Sequence, residues 1–325
     1  MNTKSNIPPL MFRPILKSAI WGGEQIAPFK GITTDQTKVG ESWEISGVPG
    51  NESIVLNGPD AGKSLPEMID AYGAELVGAD NMMRFGRKFP LLIKIIDAAG
   101  DLSLQVHPDD ELAKKRHNSL GKTEMWYIVK TAPGAKIISG LSKQLTPEIY
   151  EKIGATNEIL DYVATHESHP GDVFFLPAGR VHGIGAGNLL VEVQETSDIT
   201  YRINDYGRLD AKTGLPRELH VEQAKDAIDY TVYPDYVTKP GAEHDGVTPL
   251  VKCDHFDVSR IKVAGEKKLD LPDDTFMTMT CIEGEATLTD DRNNSVTIAR
   301  GQSVLVPAMA TSVTIKGDAI FIVAK

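Results

Sequence analysis

The sequence predicts a mainly β protein that consists of two β-barrels with a few short helices. Three observations lead to this class. Short apolar runs bounded by Gly, Pro, Asn or Asp recur along the chain, helical periodicity is rare, and one glycine–strand–proline segment occurs twice. The apolar runs have strand length and occupy residues 89–96, 125–129, 135–139, 173–177, 189–194, 276–282, 295–298, 303–307 and 319–323.

Four segments carry the apolar spacing or the start signals of a helix. Residues 63–76 have the 3.6-residue spacing, and residues 108–115 begin with proline and acidic residues. Residues 146–153 begin Thr-Pro-Glu, and residues 221–228 precede a stretch that contains prolines. Because these segments are short and scattered, they predict helices that connect the strands of a β fold.

A repeated segment suggests that the two barrels are related. Gly171 and Gly301 each precede an apolar run, and a Pro-Ala pair follows each glycine six residues later. The first copy continues to His182, whereas the second has no histidine there. The prediction is a first domain, 1–235, that keeps the chemistry, and a degenerate β domain, 236–325. A chance likeness between two strand-and-turn segments is the alternative.

Composition and charge exclude some classes of partner. Of the 325 residues, 41% are hydrophobic and 24% are charged, which is ordinary for a globular protein. The formal net charge of −11 disfavours nucleic acid and anionic membranes. No run approaches the ~18 apolar residues of a membrane span, and the start of the chain has no apolar leader, so a cytoplasmic location is expected. Cys253 and Cys281 are expected to be reduced.

Polar residues alternate along one segment that otherwise resembles a buried strand. Period-2 spacing places Ser103, Gln105 and His107 on one face of a strand, with apolar residues on the other. In a closed barrel one face points inward, where an amide and an imidazole need partners. This face therefore predicts an internal polar site.

Two further segments supply side chains of the types that bind metals. Lys122 and Glu124 lie two residues apart at the start of an apolar run, and His182 follows the proline bend of the first repeat. A carboxylate inside a barrel needs a cation or a metal. Glu124 and His182, together with Gln105 and His107, predict one divalent-metal site, which suits Zn²⁺ and would also accept Mn²⁺, Fe²⁺ or Co²⁺. The remaining histidines are interpreted as ordinary core or surface residues: His117, His166, His169, His220, His244 and His255.

Several of these segments resemble those of a known family. Residues 104–109, Leu-Gln-Val-His-Pro-Asp, with Lys122 and Glu124 after them, resemble the signature of the type I phosphomannose isomerases. Residues 194–206 resemble the second signature of that family, and residues 171–182 resemble the second cupin motif.

The resemblance, which is close over residues 10–225, implies two cupin-type (jelly-roll) β-barrels, the second degenerate. It also implies a zinc-dependent isomerase that interconverts D-mannose 6-phosphate and D-fructose 6-phosphate through a cis-enediol, with one Zn²⁺ per chain. Longer family members carry a large helical insertion between the residues that match Glu124 and His182, and this chain lacks a segment of that length.

The resemblance also implies roles for individual residues. The zinc ligands are Gln105, His107, Glu124 and His182, the catalytic residues are Arg202 and Lys122, and the substrate-binding residues are Lys94, Ser103 and Arg202. Lys94 is unusual in its own right, because a lysine within an apolar strand suggests an inward-facing functional group. A phosphate that approaches a protein of charge −11 needs such local cations.

Several alternatives stay open at this point. The general base could be a metal-bound water or hydroxide, Lys122, or a carboxylate such as Glu192 or Asp205. Lys122 could also simply neutralise Glu124. Instead of the isomerase, the chain could be a non-catalytic sugar-phosphate-binding cupin or a different metal-dependent cupin enzyme. The expected partner is a small-molecule sugar phosphate, and the expected assembly is a monomer or a weak homodimer.

Overall fold

The computed structural model describes residues 6–210, 213–271 and 274–325. Its strands are β1 (Leu10–Met11), β2 (Ile15–Gly23), β3 (Val39–Ile45), β4 (Leu91–Ala98), β5 (Leu104–Val106), β6 (Glu124–Thr131), β7 (Lys136–Leu141), β8 (Val163–Glu167), β9 (Val173–Leu176), β10 (His182–Ile184), β11 (Asn188–Glu195), β12 (Tyr201–Asn204), β13 (Val247–Lys252), β14 (Asp257–Asp270), β15 (Met277–Asp290), β16 (Ser295–Ala299), β17 (Ser303–Val306) and β18 (Ser312–Ala324). Its helices are α1 (Ile26–Lys30), α2 (Leu65–Tyr72), α3 (Ala74–Val77), α4 (Ala79–Phe85), α5 (Asp110–His117), α6 (Pro147–Ile153) and α7 (Val221–Ala227), with a 3₁₀ helix at Asn157–Tyr162. The prediction of a mainly β protein is confirmed.

The first part of the chain forms two antiparallel sheets. The six-stranded sheet has the order β2-β3-β4-β11-β6-β9, and the five-stranded sheet has the order β12-β5-β10-β7-β8. Strands β4 and β11 lie at the centre of the larger sheet and are buried along their whole length. Burial on both faces explains their nearly continuous apolar sequence. Lys94 and Glu192, two of the polar residues in these strands, are direct partners across them.

The last part of the chain forms a third sheet of order β1-β17-β15-β18-β14-β13, with β16 paired to β15. One repeated segment lies in the larger sheet, at β9, and the other lies in this sheet, at β17, and the two have the same local structure. Gly171 and Gly301 both have positive φ, 95° and 80°, which favours glycine, and each precedes a four-residue strand that ends before a proline. Because β1 pairs with β17, residues near the start of the chain contribute to this sheet. The two-barrel arrangement and the division at residue 235 stay predictions.

The four predicted helices are present with shifted ends, and the segment 63–76 is divided. Helices α2 and α3 are separated at Gly73, whose φ of 51° lies in the left-handed region. The start of α2 has a capping box, in which the Ser64 hydroxyl accepts from the Glu67 N–H and the Glu67 carboxylate accepts from the Ser64 N–H. Helices α1 and α4 and the 3₁₀ helix were not predicted.

A buried ion pair connects α1 to β3 and to the third sheet. Lys30 Nζ lies 2.6 Å from Glu44 Oε1 and also donates to the carbonyl of Gly301, while the Ser42 hydroxyl donates to Glu44 Oε1 at 2.6 Å. Both charged side chains are 3% exposed. We expect Lys30→Met to lower the free energy of unfolding by about 3–5 kcal/mol, because it leaves the Glu44 charge buried without its cation. Urea unfolding followed by tryptophan fluorescence measures this loss.

The double variant Lys30→Met/Glu44→Gln is the control for that prediction, because it removes both charges. We expect it to recover much of the lost stability. A double variant no more stable than Lys30→Met would contradict a charge-based explanation and point to lost packing instead.

Candidate functional site

Gln105, His182, Glu124 and His107 meet in the space between the two sheets of the first part. Gln105 on β5 is the direct partner of His182 on β10, and Gln105 Nε2 lies 3.2 Å from His182 Nε2. Glu124 enters from the first position of β6 in the other sheet, and its Oε1 is 3.3 Å from His182 Nε2. His107 follows β5, and its Nε2 is 3.5 Å from Glu124 Oε2. The structure thus brings the four predicted ligands together.

Backbone carbonyls orient both imidazoles. His107 Nδ1 lies 2.9 Å from the Ile199 carbonyl oxygen, and His182 Nδ1 lies 2.7 Å from that of Arg180. Since a carbonyl only accepts, each Nδ1 carries the proton and donates. The lone pair of each neutral ring is then on Nε2, which faces Glu124. This is the tautomer in which histidine binds a metal through Nε2.

The carboxylate of Glu124 is completely buried, and neither of its oxygens accepts a hydrogen bond of good geometry. Burial alone raises the pKa of this group, but the cationic Lys122 beside it holds the pKa well below its usual value. Lys122 Nζ lies 2.9 Å from Glu124 Oε2 and 3.1 Å from His107 Nε2. A buried ionised carboxylate with unsatisfied oxygens fits a divalent cation.

The two histidines are held in the neutral form. Burial lowers the pKa of His107 to about 3, with Lys122 adding to the effect, and burial also lowers the pKa of His182. The ligand atoms of His107, Glu124 and His182 all lie within 4.8 Å of one another. Two imidazole nitrogens and one carboxylate therefore fit a divalent metal, and the Gln105 amide, turned so that its oxygen faces His182, could supply a fourth donor.

A cavity of ≈ 350 Å³ opens beside these residues. Its lining includes every predicted substrate-binding or catalytic residue: Lys94, Ser103, Lys122 and Arg202, together with Gln105. Its other lining residues are Trp21, Glu41, Trp43, Ile96, Leu102, Ile184, Glu192, Asp198, Thr200 and Arg217. Of the four candidate ligands, Gln105 belongs to this lining, so the cavity adjoins the candidate metal site through Gln105 and through Lys122.

Lys94 is held between two carboxylates at one side of the cavity. Lys94 Nζ lies 2.9 Å from Glu192 Oε1 and 3.8 Å from Glu41 Oε2. Burial lowers the pKa of this lysine, but Glu192 and Glu41 together raise it above its usual value, so the side chain stays charged. Trp126 Nε1 donates to the second oxygen of Glu192 at 2.8 Å, which fixes that carboxylate in place.

Arg202 reaches the cavity from β12, where it is the direct partner of Gln105. One terminal nitrogen donates to the Glu218 carbonyl at 2.8 Å, whereas the buried Nε has no hydrogen-bond partner in the structure as described. The hydrogen bonds described for the guanidinium use one of its two terminal nitrogens, which leaves the other for a ligand, and the planar shape suits a phosphate or an oxyanion.

Comparisons with known proteins indicate the family of this chain. Residues 10–127 match the model of the "Phosphomannose isomerase type I, catalytic domain", and residues 246–325 match that of the "Mannose-6-phosphate isomerase, cupin domain". Mannose-6-phosphate isomerase ManA of Bacillus subtilis is 38% identical over 282 residues, 85% of this chain and 86% of that protein. The putative mannose-6-phosphate isomerase YvyI of the same organism is 33% identical over 97% of this chain and 98% of its own length.

The chain belongs to the type I phosphomannose isomerase family. The crystal structure of mannose 6-phosphate isomerase from Bacillus subtilis covers 98% of this chain and 100% of its own, with 31% identity and a TM-score of 0.89. The predicted resemblance and the predicted enzyme class, an aldose–ketose isomerase, are therefore confirmed at the level of the family.

Sequence reasoning missed several residues that line the cavity of this phosphomannose isomerase family member. Glu41 precedes Trp43 by two residues on β3, so period-2 spacing from that tryptophan could have found it. Arg217, Asp198 and Thr200 lie in irregular segments, where no periodicity indicates the direction of a side chain. Of the carboxylates proposed as general base, Glu192 lines the cavity, whereas Asp205 pairs with Arg208 and Arg217.

None of the helices in the described part of the chain has the length and apolar character that crossing a bilayer requires.

Proposed function

We propose that this protein is a zinc-dependent isomerase that interconverts D-mannose 6-phosphate and D-fructose 6-phosphate through a cis-enediol. The observation that carries the proposal is the position of the His107–Glu124–His182 group, which lies beside a cavity lined by Lys94, Lys122 and Arg202. A candidate metal site next to a cavity that carries cationic side chains suits a sugar that bears a phosphate.

His107, Glu124, His182 and Gln105 would hold the zinc ion. Two imidazoles, one carboxylate and one amide oxygen are donors that zinc accepts. A bound zinc ion would act as a Lewis acid toward the C1 and C2 oxygens of the sugar, where negative charge develops during the isomerisation.

The cations of the cavity would bind the phosphate and the developing oxyanion. The described lining carries four cationic side chains and three carboxylates, so the cavity is less negative than the protein as a whole, whose formal charge is −11. Arg202 can bind a phosphate or an oxyanion through two parallel hydrogen bonds. Lys94 is held in place by Glu192, and the Ser103 hydroxyl offers a further donor on the same wall.

The proton that moves between C1 and C2 needs a base at the cavity surface. Lys122 and Glu192 both line the cavity, and both are nearly fully buried. Asp205 is neutralised by two arginines, which makes it the weaker candidate. Lys122 also lies beside Glu124 and His107, so it could stabilise the ligand carboxylate and transfer a proton.

We further propose that the enzyme works in the cytoplasm as a monomer or a weak homodimer on a small-molecule sugar phosphate. Size-exclusion chromatography with light scattering over a range of concentrations tests the assembly. A stable tetramer at low concentration would contradict it.

The test of the function is a coupled assay that follows fructose 6-phosphate formed from mannose 6-phosphate. Because the ion would stabilise transition-state charge by several kcal/mol, we expect chelation to lower the rate at least ~10²-fold. One equivalent of Zn²⁺ per chain should restore it. Full activity after the metal has been shown to be absent would refute the proposal.

The same measurements separate the alternatives. Iron in the purified protein together with oxygen consumption would indicate another metal-dependent cupin enzyme. Binding of mannose 6-phosphate without turnover, after zinc is restored, would indicate a non-catalytic binding cupin.

A further inference from the structure

The turn between β13 and β14 brings His255 from the third sheet to the end of β11. His255 Nδ1 lies 3.0 Å from Glu195 Oε1. Glu195 is 5% exposed, and His255 is partly buried. A buried carboxylate is costly unless a cation or hydrogen-bond donors compensate it, so His255 stabilises the ionised form of Glu195.

The other carboxylate oxygen of Glu195 binds the backbone of Thr123, which directly precedes the candidate ligand Glu124. Glu195 Oε2 accepts from the Thr123 N–H at 2.7 Å, and the Glu195 N–H donates to the Thr123 carbonyl at 3.1 Å. The Thr123 hydroxyl in turn accepts from the Ala178 N–H at 3.3 Å, in the bend that leads to His182. Thr123 is therefore bound through both backbone groups and its side chain.

Thr123 stands between two residues of the candidate site. Lys122 and Glu124 flank Thr123 in the sequence, and Lys122 Nζ lies 2.9 Å from Glu124 Oε2. A shift of the Thr123 backbone would displace both side chains at once. Displacements of about 1 Å at a catalytic group can cost 10²-fold in rate, so the bonds that fix Thr123 matter to the chemistry.

We propose that His255, acting through Glu195, is a positioning residue that holds Lys122 and Glu124 in the geometry that the isomerisation needs. The proposal rests on the proposed function and gives the last part of the chain a role in it. Neither His255 nor Glu195 is among the described lining residues of the cavity. Its effect passes along one path, from His255 to Glu195, to the Thr123 amide, and to the two neighbouring side chains.

A second metal site is the competing explanation. Asp110, Glu195 and His255 offer ligand atoms within 4.8 Å of one another. However, Asp110 Oδ1 already accepts from the Gly121 N–H at 2.7 Å, and Glu195 Oε2 already accepts from the Thr123 N–H. Both acidic residues thus bind the same backbone segment, 121–123, which favours the positioning role.

The experiment compares four variants of the full-length zinc-loaded protein. His255→Phe keeps a ring but removes the donor, and His255→Leu removes the donor with a smaller apolar side chain, so that the test does not depend on one variant folding. His255→Asn keeps a donor near the position of Nδ1 without a positive charge. His244→Phe changes an exposed histidine of the same part of the chain and is the matched control.

For the donor-free variant we expect kcat to fall about 10-fold, with KM for mannose 6-phosphate changed less than about twofold and zinc content unchanged. Hydrogen exchange at the Thr123 amide should become about 10-fold faster. His255→Asn and His244→Phe should keep the wild-type kcat and the wild-type exchange rate of the Thr123 amide. Unchanged kcat and exchange in both donor-free variants, or an equal loss in His255→Asn, would overturn the proposal.

Two further outcomes are decisive. A second metal ion per chain that is lost in His255→Leu would replace the positioning role by a metal site. If the wild-type protein does not convert mannose 6-phosphate, the proposed function fails, whereas amide exchange still reports whether His255 fixes Thr123.

Discussion

His182→Ala is expected to abolish both metal binding and turnover while leaving a folded protein. His182 supplies a neutral Nε2 that lies 3.3 Å from Glu124 Oε1, and its removal takes away one of two imidazole ligands. We expect the metal content to fall from about one ion per chain to below about 0.1. We expect kcat/KM to fall at least ~10³-fold, because about 4 kcal/mol of transition-state stabilisation is lost. Metal analysis after gel filtration and the coupled assay measure the two effects.

Circular dichroism is the control for folding, and His169→Ala is the matched control for histidine removal. The His169 side chain is 64% exposed and lies outside the candidate site. It should keep metal and activity. A His182→Ala protein that is metal-free yet fully active would remove the metal from the mechanism, and one that keeps its metal would remove His182 from the ligand set.

Arg202→Ala is expected to separate metal binding from catalysis. Arg202 lines the cavity and belongs to the strand next to Gln105, but its side chain makes no described contact with His107, Glu124 or His182. The variant should therefore keep one ion per chain. We expect kcat/KM to fall about 10²–10³-fold, which is the usual loss when one preorganised donor to a developing oxyanion is removed.

Two companion variants sharpen this second prediction. Arg202→Lys keeps the positive charge but lacks the planar guanidinium that makes two parallel hydrogen bonds, so this variant should recover only part of the activity. Arg13→Ala removes an exposed arginine that does not line the cavity and should behave as wild type. An unchanged kcat/KM in Arg202→Ala would exclude the residue from the mechanism, and loss of metal would make its role structural.

The residues of the candidate metal site could be selected from the sequence because polar residues at buried strand positions are rare. Gln105 and His107 alternate with apolar residues, Glu124 begins an apolar strand, and His182 follows a proline bend, so each was conspicuous. The positions of these four residues in the sequence did not show that their side chains would lie close together. This proximity depends on the register of β5 with β10 and on the packing of two sheets, which are long-range contacts.

Other features had no local signal of this kind. Strand β14 was not predicted, since most of its residues from Gly265 onward are polar and exposed, and no apolar run marks it. It is a strand because it pairs with β18 over its length, from Val258 to Asp270. Tertiary pairing thus overrides weak local propensity. His255 was interpreted as ordinary because its partner Glu195 is distant in the sequence.

The candidate ligands come from two different sheets, with Gln105 and His182 on one and Glu124 on the other. An ion bound by all of them would span the gap between the sheets, so its preferred bond lengths and the sheet separation could not vary independently. The packed core that sets this separation would then also select ions by size, and an ion that fits would raise the stability of the fold by mass action. Selectivity for the metal would in that case depend on apolar residues that never touch it.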